Sequence, residues 1–346
     1  MPTAPQPIFD GHHDALTRAD HANLATGRDG GHLDLPRAQA GGLVASMWAI
    51  FCSGPGGIDL DFEPQPGGGY DVPLDPEVPH DFASAEATAA AGRLLALERA
   101  GHLRVARGVA DLDAAADGSG PHAAVMHLEG AEPLDVSLEA LDAWHAMGLR
   151  SVGPVWSRPN RFGHGVPFKF PHSPDTGEGL TDAGRALVRK LNAYNMVVDL
   201  SHLNARGFWD VAAISDAPLI ATHCGAHAVA PASRNLTDDQ LDEIGRTGGL
   251  VGIPYIVDFL RADGKLDADT PLSEVVAHVR HVADRIGVDH VALGSDFDGG
   301  VIPQELGDVA GLPKLLDALR AGGFGDDEVA RIAWGNWRRV LAATWA

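Results

Sequence analysis

The chain has 346 residues, of which 45% are hydrophobic and 21% charged, a composition that excludes wholesale disorder. Twenty-six basic against 47 acidic side chains leave a net charge of −21, which disfavours nucleic acid and anionic membranes as partners. Two cysteines, Cys52 and Cys224, cannot build a disulfide framework, and the most apolar window, Leu43–Phe51, falls short of the roughly 20 residues that a membrane span needs.

No basic stretch followed by an apolar one opens the sequence, so no secretory signal is read and a cytoplasmic protein is the default. Short apolar runs rich in Val, Ile and Leu then follow one another at residues 8–14, 43–51, 123–129, 151–156, 197–202, 219–223, 250–255 and 290–296. They lack strict polar alternation, as strands buried on both faces of a parallel sheet do. Helical segments are predicted at 82–100, 138–147, 181–195, 237–246, 272–286, 309–320 and 326–341. Thr181 and Thr237 are placed as N-caps, the latter with Gln240 three residues on. Eight strands alternating with helices predict an α/β fold, a (β/α)8 TIM barrel, as a single domain over 1–346. A doubly wound sheet is the alternative, but no G-x-G-x-x-G follows an early strand. The Gly/Pro-rich stretch at 53–79 is too long for an ordinary connection. It is read as an insertion at one barrel end, a lid or subunit contact, with a solvated loop as the alternative. A second long loop covers 157–179.

Polar residues gather where these strands end, the place of active sites in barrels. In the first strand the period-2 pleat puts His12 and Asp14 on one face and His13 on the other. Glu129 ends the third strand, a costly position for a carboxylate unless it is paired or coordinated; His127, two residues earlier, is read as a supporting or packing residue. His202 and His223 end the fifth and sixth strands, and Asp296 the eighth. Imidazoles and carboxylates in this order fit two nearby divalent ions sharing one carboxylate. Two such ions, three carboxylates and a hydroxide sum to about zero charge. None of the four lysines, Lys169, Lys190, Lys265 and Lys314, ends a predicted strand, so Glu129 rather than a modified lysine is expected to bridge. Zinc, manganese and cobalt all suit such donors.

The segments FDGHHDA (9–15), HLEG (127–130), DLSH (199–202), THCGAHAVAPASRNLTDDQL (222–241), ALGSDFDGG (292–300) and GNWRRVL (335–341) make the chain resemble the renal (membrane) dipeptidase family of the amidohydrolase superfamily, over nearly its whole length. The resemblance implies a zinc held by His12, Asp14 and Glu129 and a second held by Glu129, His202 and His223. It places Asp296 beside the first as proton carrier and ligand, and Arg234 on the terminal carboxylate of a dipeptide, a pairing that is planar and often bidentate. Tyr255 is expected to line the substrate pocket. After the fourth strand, where the family often carries a histidine, this sequence has Trp156, which donates one N–H and cannot become cationic. Oxyanion stabilisation then falls to the metal, His164 or Asn160. The expected activity is hydrolysis of small dipeptides, including those with a D-residue at the C-terminal position, by a metal-bridging hydroxide. Another small amide or N-acyl amino acid is the alternative substrate, and a non-catalytic ligand-binding barrel the alternative function. A homodimer is expected from the resemblance.

Overall fold

The computed structural model describes residues 6–58, 62 and 69–346. Eight parallel strands form the centre: Ile8–His13 (β1), Leu43–Phe51 (β2), His122–Glu129 (β3), Leu149–Gly153 (β4), Val197–Val198 (β5), Ile220–Ala221 (β6), Leu250–Ile253 (β7) and Val291–Leu293 (β8). Ladders join β1 to β5 in order and β6 to β8 in order. Single parallel bridges, Asp199 with Ile220 and His13 with Phe297, close the two remaining seams. The result is the predicted (β/α)8 TIM barrel, with all eight predicted strands in place.

The interior is layered. Phe9, Met47, Val125, Val197, Ile220, Leu250 and Ala292 are fully buried in one cluster at the N-terminal end. Trp337, from the last helix Asn336–Thr344, closes that end; its ring stacks on Phe9 at 5.1 Å, and its indole N–H bonds the Leu293 carbonyl at 2.8 Å. Above this apolar floor the inward residues become polar: His127, Ser151, Asp199 and Thr222 are all buried. Gly252 belongs here because a Cβ on it would stand 2.0 Å from the Thr222 carbonyl oxygen. The ladder thus leads from packing to chemistry within about three residues of each strand.

Several elements depart from expectation. A strand at Leu103–Val105 pairs with the start of β3. Helices at Leu35–Gly41, Val109–Ala116 and Ala205–Ile214 lie in stretches for which the sequence predicts no element. The expected final helix is interrupted by a π-turn at Arg331–Gly335. Of the 53–79 insertion, residues 59–61 and 63–68 lie outside the described residues. Its strand Tyr70–Val72 pairs antiparallel with Phe168–Phe170 of the second long loop, so the two loops are joined over the C-terminal mouth.

Candidate metal centre

Each expected ligand comes from the C-terminal end of its strand. His12 Nε2 lies 3.6 Å from Asp14 Oδ2 and 3.5 Å from Glu129 Oε2. The other oxygen of Glu129, Oε1, lies 3.0 Å from His202 Nε2 and 3.7 Å from His223 Nε2. Donor atoms of His12, Glu129 and His223 fall within 4.8 Å of one another, as do those of His12, Asp14 and Asp296. The structure therefore gathers all six residues. Two are held in left-handed backbone, His202 at φ 65° and Asp296 at φ 60°, a conformation that costs non-glycine residues of order 1–3 kcal/mol. Gly299 leaves room for the Asp296 carboxylate: a Cβ there would sit 2.1 Å from Asp296 Oδ1.

Hydrogen bonds beneath the ligands fix their orientation. Thr222 Oγ1 donates to Asp199 Oδ2 at 2.6 Å and faces His223 Nδ1 at 2.8 Å. Ser157 Oγ lies 2.8 Å from His202 Nδ1. His127 bonds Ser151 Oγ through Nδ1 at 2.8 Å and packs edge-on to His12, so it supports rather than joins the ligand group. His13 points outward to Ser46, as the pleat required. Such supporting partners set ring orientation and tautomer at metal sites.

The electrostatics fit divalent cations. Burial lowers the pKa of His202 to about 3, helped by the Arg234 charge, and holds His223 well below the usual range, helped by the His12 charge. Both imidazoles are thus neutral, as ligation requires. Burial also opposes charge on His12, but Glu129 and Asp14 outweigh it and raise its pKa well above the ordinary value. Neither ring nitrogen of His12 has a hydrogen-bond partner among the described residues. A cation in that place supplies the positive charge the two carboxylates call for. Asp296 is pushed up to about 7, first by burial and then by the charges of Asp14 and Glu129, against the pull of His12.

The ligands open on a cavity of about 540 Å³, within the size range of small-molecule sites. Asp14, Glu129, His202 and Asp296 form its floor, and Phe51, Trp156, Phe168 and Phe259 part of its wall. Ser53, Gly57, Ile58 and Phe62 of the insertion also line it. Trp156 packs 5.7 Å from the His202 ring and 5.6 Å from Phe168. Behind it the fully buried Arg158 lies over the indole and pairs with Glu132 at 2.8 Å.

Arg234 is buried just behind this wall. Its Nη2 is 3.3 Å from His202 Nε2, and its guanidinium lies over Phe259. Tyr255 is fully buried, and its ring packs edge-on against Phe297 of the loop after β8. Asn160 and His164 do not line the cavity. Asn160 uses its side chain on the Pro154 carbonyl and the Phe162 and Gly163 amides, and His164 faces the Gly179 carbonyl. The residues missed in the sequence are Asp199, Thr222 and Ser157 beneath the ligands and Phe168, Asp258 and Phe259 in the wall. Asp199 and Thr222 stand inside the DLSH and THCG segments, which was the available signal.

Residues 3–345 match the model of the family described as "Membrane dipeptidase (Peptidase family M19)". A metallopeptidase from Rhodobacter sphaeroides, solved with a phosphinate mimic of the dipeptide L-Ala-D-Ala, is 46% identical, with 98% of this chain and 99% of that one covered and a TM-score of 0.94. The structure of a metallopeptidase described as dipeptidase AC is 45% identical over 99% of each chain, with a TM-score of 0.92. Dipeptidase aclJ of Aspergillus oryzae is 30% identical over 348 residues, 97% of this chain and 77% of that protein. The chain belongs to the membrane dipeptidase family, peptidase family M19, and its enzyme class is that of the metallo-dipeptidases.

Proposed function

We propose that the protein hydrolyses dipeptides at a pair of divalent ions, zinc in the native enzyme, one held by His12, Asp14 and Glu129 and the other by Glu129, His202 and His223. The observation that carries this reading is Glu129, whose two oxygens face different imidazoles at 3.5 and 3.0 Å. A buried carboxylate divided in this way suits two cations better than one. When bound, the ions supply Lewis-acid polarisation of the scissile carbonyl and acidification of water.

The chain's own residues supply the rest. Arg234 is 3% exposed, and its hydrogen bonds go to Cys224, His202 and the His223 carbonyl, none of them a carboxylate. A buried guanidinium so placed suits the substrate's terminal carboxylate, and it would reject longer peptides because it would then stay unpaired. Asp296 holds the proton taken from the attacking water and returns it to the leaving amine, a role open to a buried carboxyl that stands beside His12 and Asp14. Phe51, Trp156 and Phe168 keep bulk water from the floor.

The L-Ala-D-Ala mimic in the Rhodobacter sphaeroides structure supports a C-terminal D-residue as substrate here. Among the described residues no helix is long and apolar enough to cross a membrane, and both cysteines are free and buried. The free thiols support a reducing compartment, the cytoplasm, and the family resemblance supports a homodimer. The test is zinc-loaded protein against L-Xaa-L-Xaa and L-Xaa-D-Xaa libraries, with metal content measured in parallel. Turnover with two ions per chain is expected; no turnover of any dipeptide overturns the reading.

A further inference from the structure

Asp258 has no part in the mechanism above, yet it lines the same cavity. It sits in the short helix Val257–Leu260, is 1% exposed, and its Oδ2 has no hydrogen-bond partner among the described residues. Burial pushes its pKa up to about 7, with the Asp296 charge adding to the rise and the Arg234 charge opposing it. Arg234 does not pair with it; that guanidinium bonds Cys224, His202 and the His223 carbonyl, and its Nε is also without a partner. The adjoining wall residues Ile256, Phe168 and Phe259 are apolar.

A buried carboxyl and a buried guanidinium thus remain unpaired with one another, each with an unsatisfied atom. Leaving either so is costly. A ligand that brings a carboxylate to Arg234 and a hydrogen-bond donor to Asp258 satisfies both. An amino-acid residue with a donor in its side chain carries those two groups on one Cα. We propose that Asp258 is a specificity-determining residue that selects a C-terminal substrate residue bearing a side-chain ammonium or hydroxyl. This rests on the dipeptidase reading and on Arg234 holding the terminal carboxylate.

The experiment uses metal-loaded full-length enzyme and pairs of dipeptides alike in bulk but unlike in donor: Ala-Lys with Ala-Met, and Ala-Thr with Ala-Val. The C-terminal configuration is the one turned over faster for Ala-Ala. In the unaltered enzyme, kcat/KM is expected to favour the donor member of at least one pair about tenfold, as a hydrogen bond to a buried acceptor warrants. Asp258→Leu should bring that ratio near one. Asp258→Asn should lose the preference for Lys while keeping one for Thr. The same side chains at the N-terminal position should give ratios that do not depend on residue 258. Ratios that Asp258→Leu leaves unchanged overturn the proposal. So does the absence of any preference in the unaltered enzyme, which decides the matter even if the leucine variant fails to fold. If Ala-Ala is hydrolysed and neither pair is discriminated, only the assignment of Asp258 fails; if no dipeptide is hydrolysed, the dipeptidase reading fails with it.

Discussion

His202 and His223 present their Nε2 atoms to each other at 3.0 Å. Thr222 gives its hydroxyl proton to Asp199, so it accepts from His223 Nδ1–H, and His223 Nε2 is left as a bare lone pair. Glu129 Oε1 adds another acceptor 3.0 Å from His202 Nε2. Arg234 Nη2 also donates to His202 Nε2 at 3.3 Å. A divalent ion among these atoms would satisfy them together, so metal binding is expected to add to folding stability.

Chelation should abolish turnover and lower the melting temperature by several degrees, and added zinc should restore both. Free metal at 100 times its Kd stabilises by about 2.7 kcal/mol per site. Calorimetry with and without chelator checks this; superimposable melting curves would show that the acceptors are satisfied in some other way.

Thr222→Val keeps the bulk of the side chain and removes the bond that orients His223. Loss of such a supporting partner costs about 10–100-fold in metal affinity. Turnover at limiting zinc should fall and recover in excess zinc, whereas His223→Ala should stay inactive at any concentration. Metal titrations of the two variants separate the roles.

Arg234→Lys retains the charge but not the planar fork. For free dipeptides kcat/KM should drop at least about tenfold, mostly through KM. Dipeptide amides, which lack the carboxylate, should be equally poor substrates for both enzymes. An unchanged KM for free dipeptides would place the carboxylate elsewhere.

The barrel was legible because its strands are apolar runs, and the ligands stand at the ends of five of them. Local signals also held: Thr181 caps the Gly184 amide, and Thr237 forms a capping box with Gln240. The strand Leu103–Val105 was lost because three residues carry no periodicity. The π-turn at Arg331–Gly335 adds one residue to a helical repeat that otherwise reads through. Asp258 and Phe168 gain their meaning only when the loops after β4 and β7 meet over one cavity, a contact across some ninety residues that neither segment announces. Tyr255 shows the converse: a matching motif position fixes where a residue sits in the chain, while packing against Phe297 decides which way its ring faces.

His278 gives a pH dependence remote from the metal centre. It is fully buried, accepts the Ala226 amide at Nδ1 and bonds the Leu260 carbonyl through Nε2, so both nitrogens are used by the neutral ring. Burial lowers its pKa to about 4, against about 6.5 in an unfolded chain. A depressed folded pKa gives stability that is present above 6.5 and lost as pH falls toward 4, here about 3 kcal/mol in full. His122, also near 4 for the same reason, adds in the same direction. Melting temperature should decline between pH 7 and pH 5, and His278→Gln, though less stable at pH 7, should show a shallower decline. Equal slopes would mean that His278 does not govern the acid limb.

Asp296→Asn tests the proton carrier against its other role as a ligand. The carboxyl lies with His12 and Asp14 in one group of donor atoms, so either role is geometrically open to it. The amide keeps one oxygen donor and the shape of the side chain but cannot take up a proton. If Asp296 moves the proton, kcat should fall about 10²–10⁴-fold while both ions stay bound. KM should change little if Arg234 is what holds the carboxylate. If it serves chiefly to bind metal, the variant should lose an ion, and excess zinc should return activity. Metal content and kcat measured on the same preparation distinguish the two, because only a proton carrier leaves a fully loaded enzyme that no added zinc can rescue.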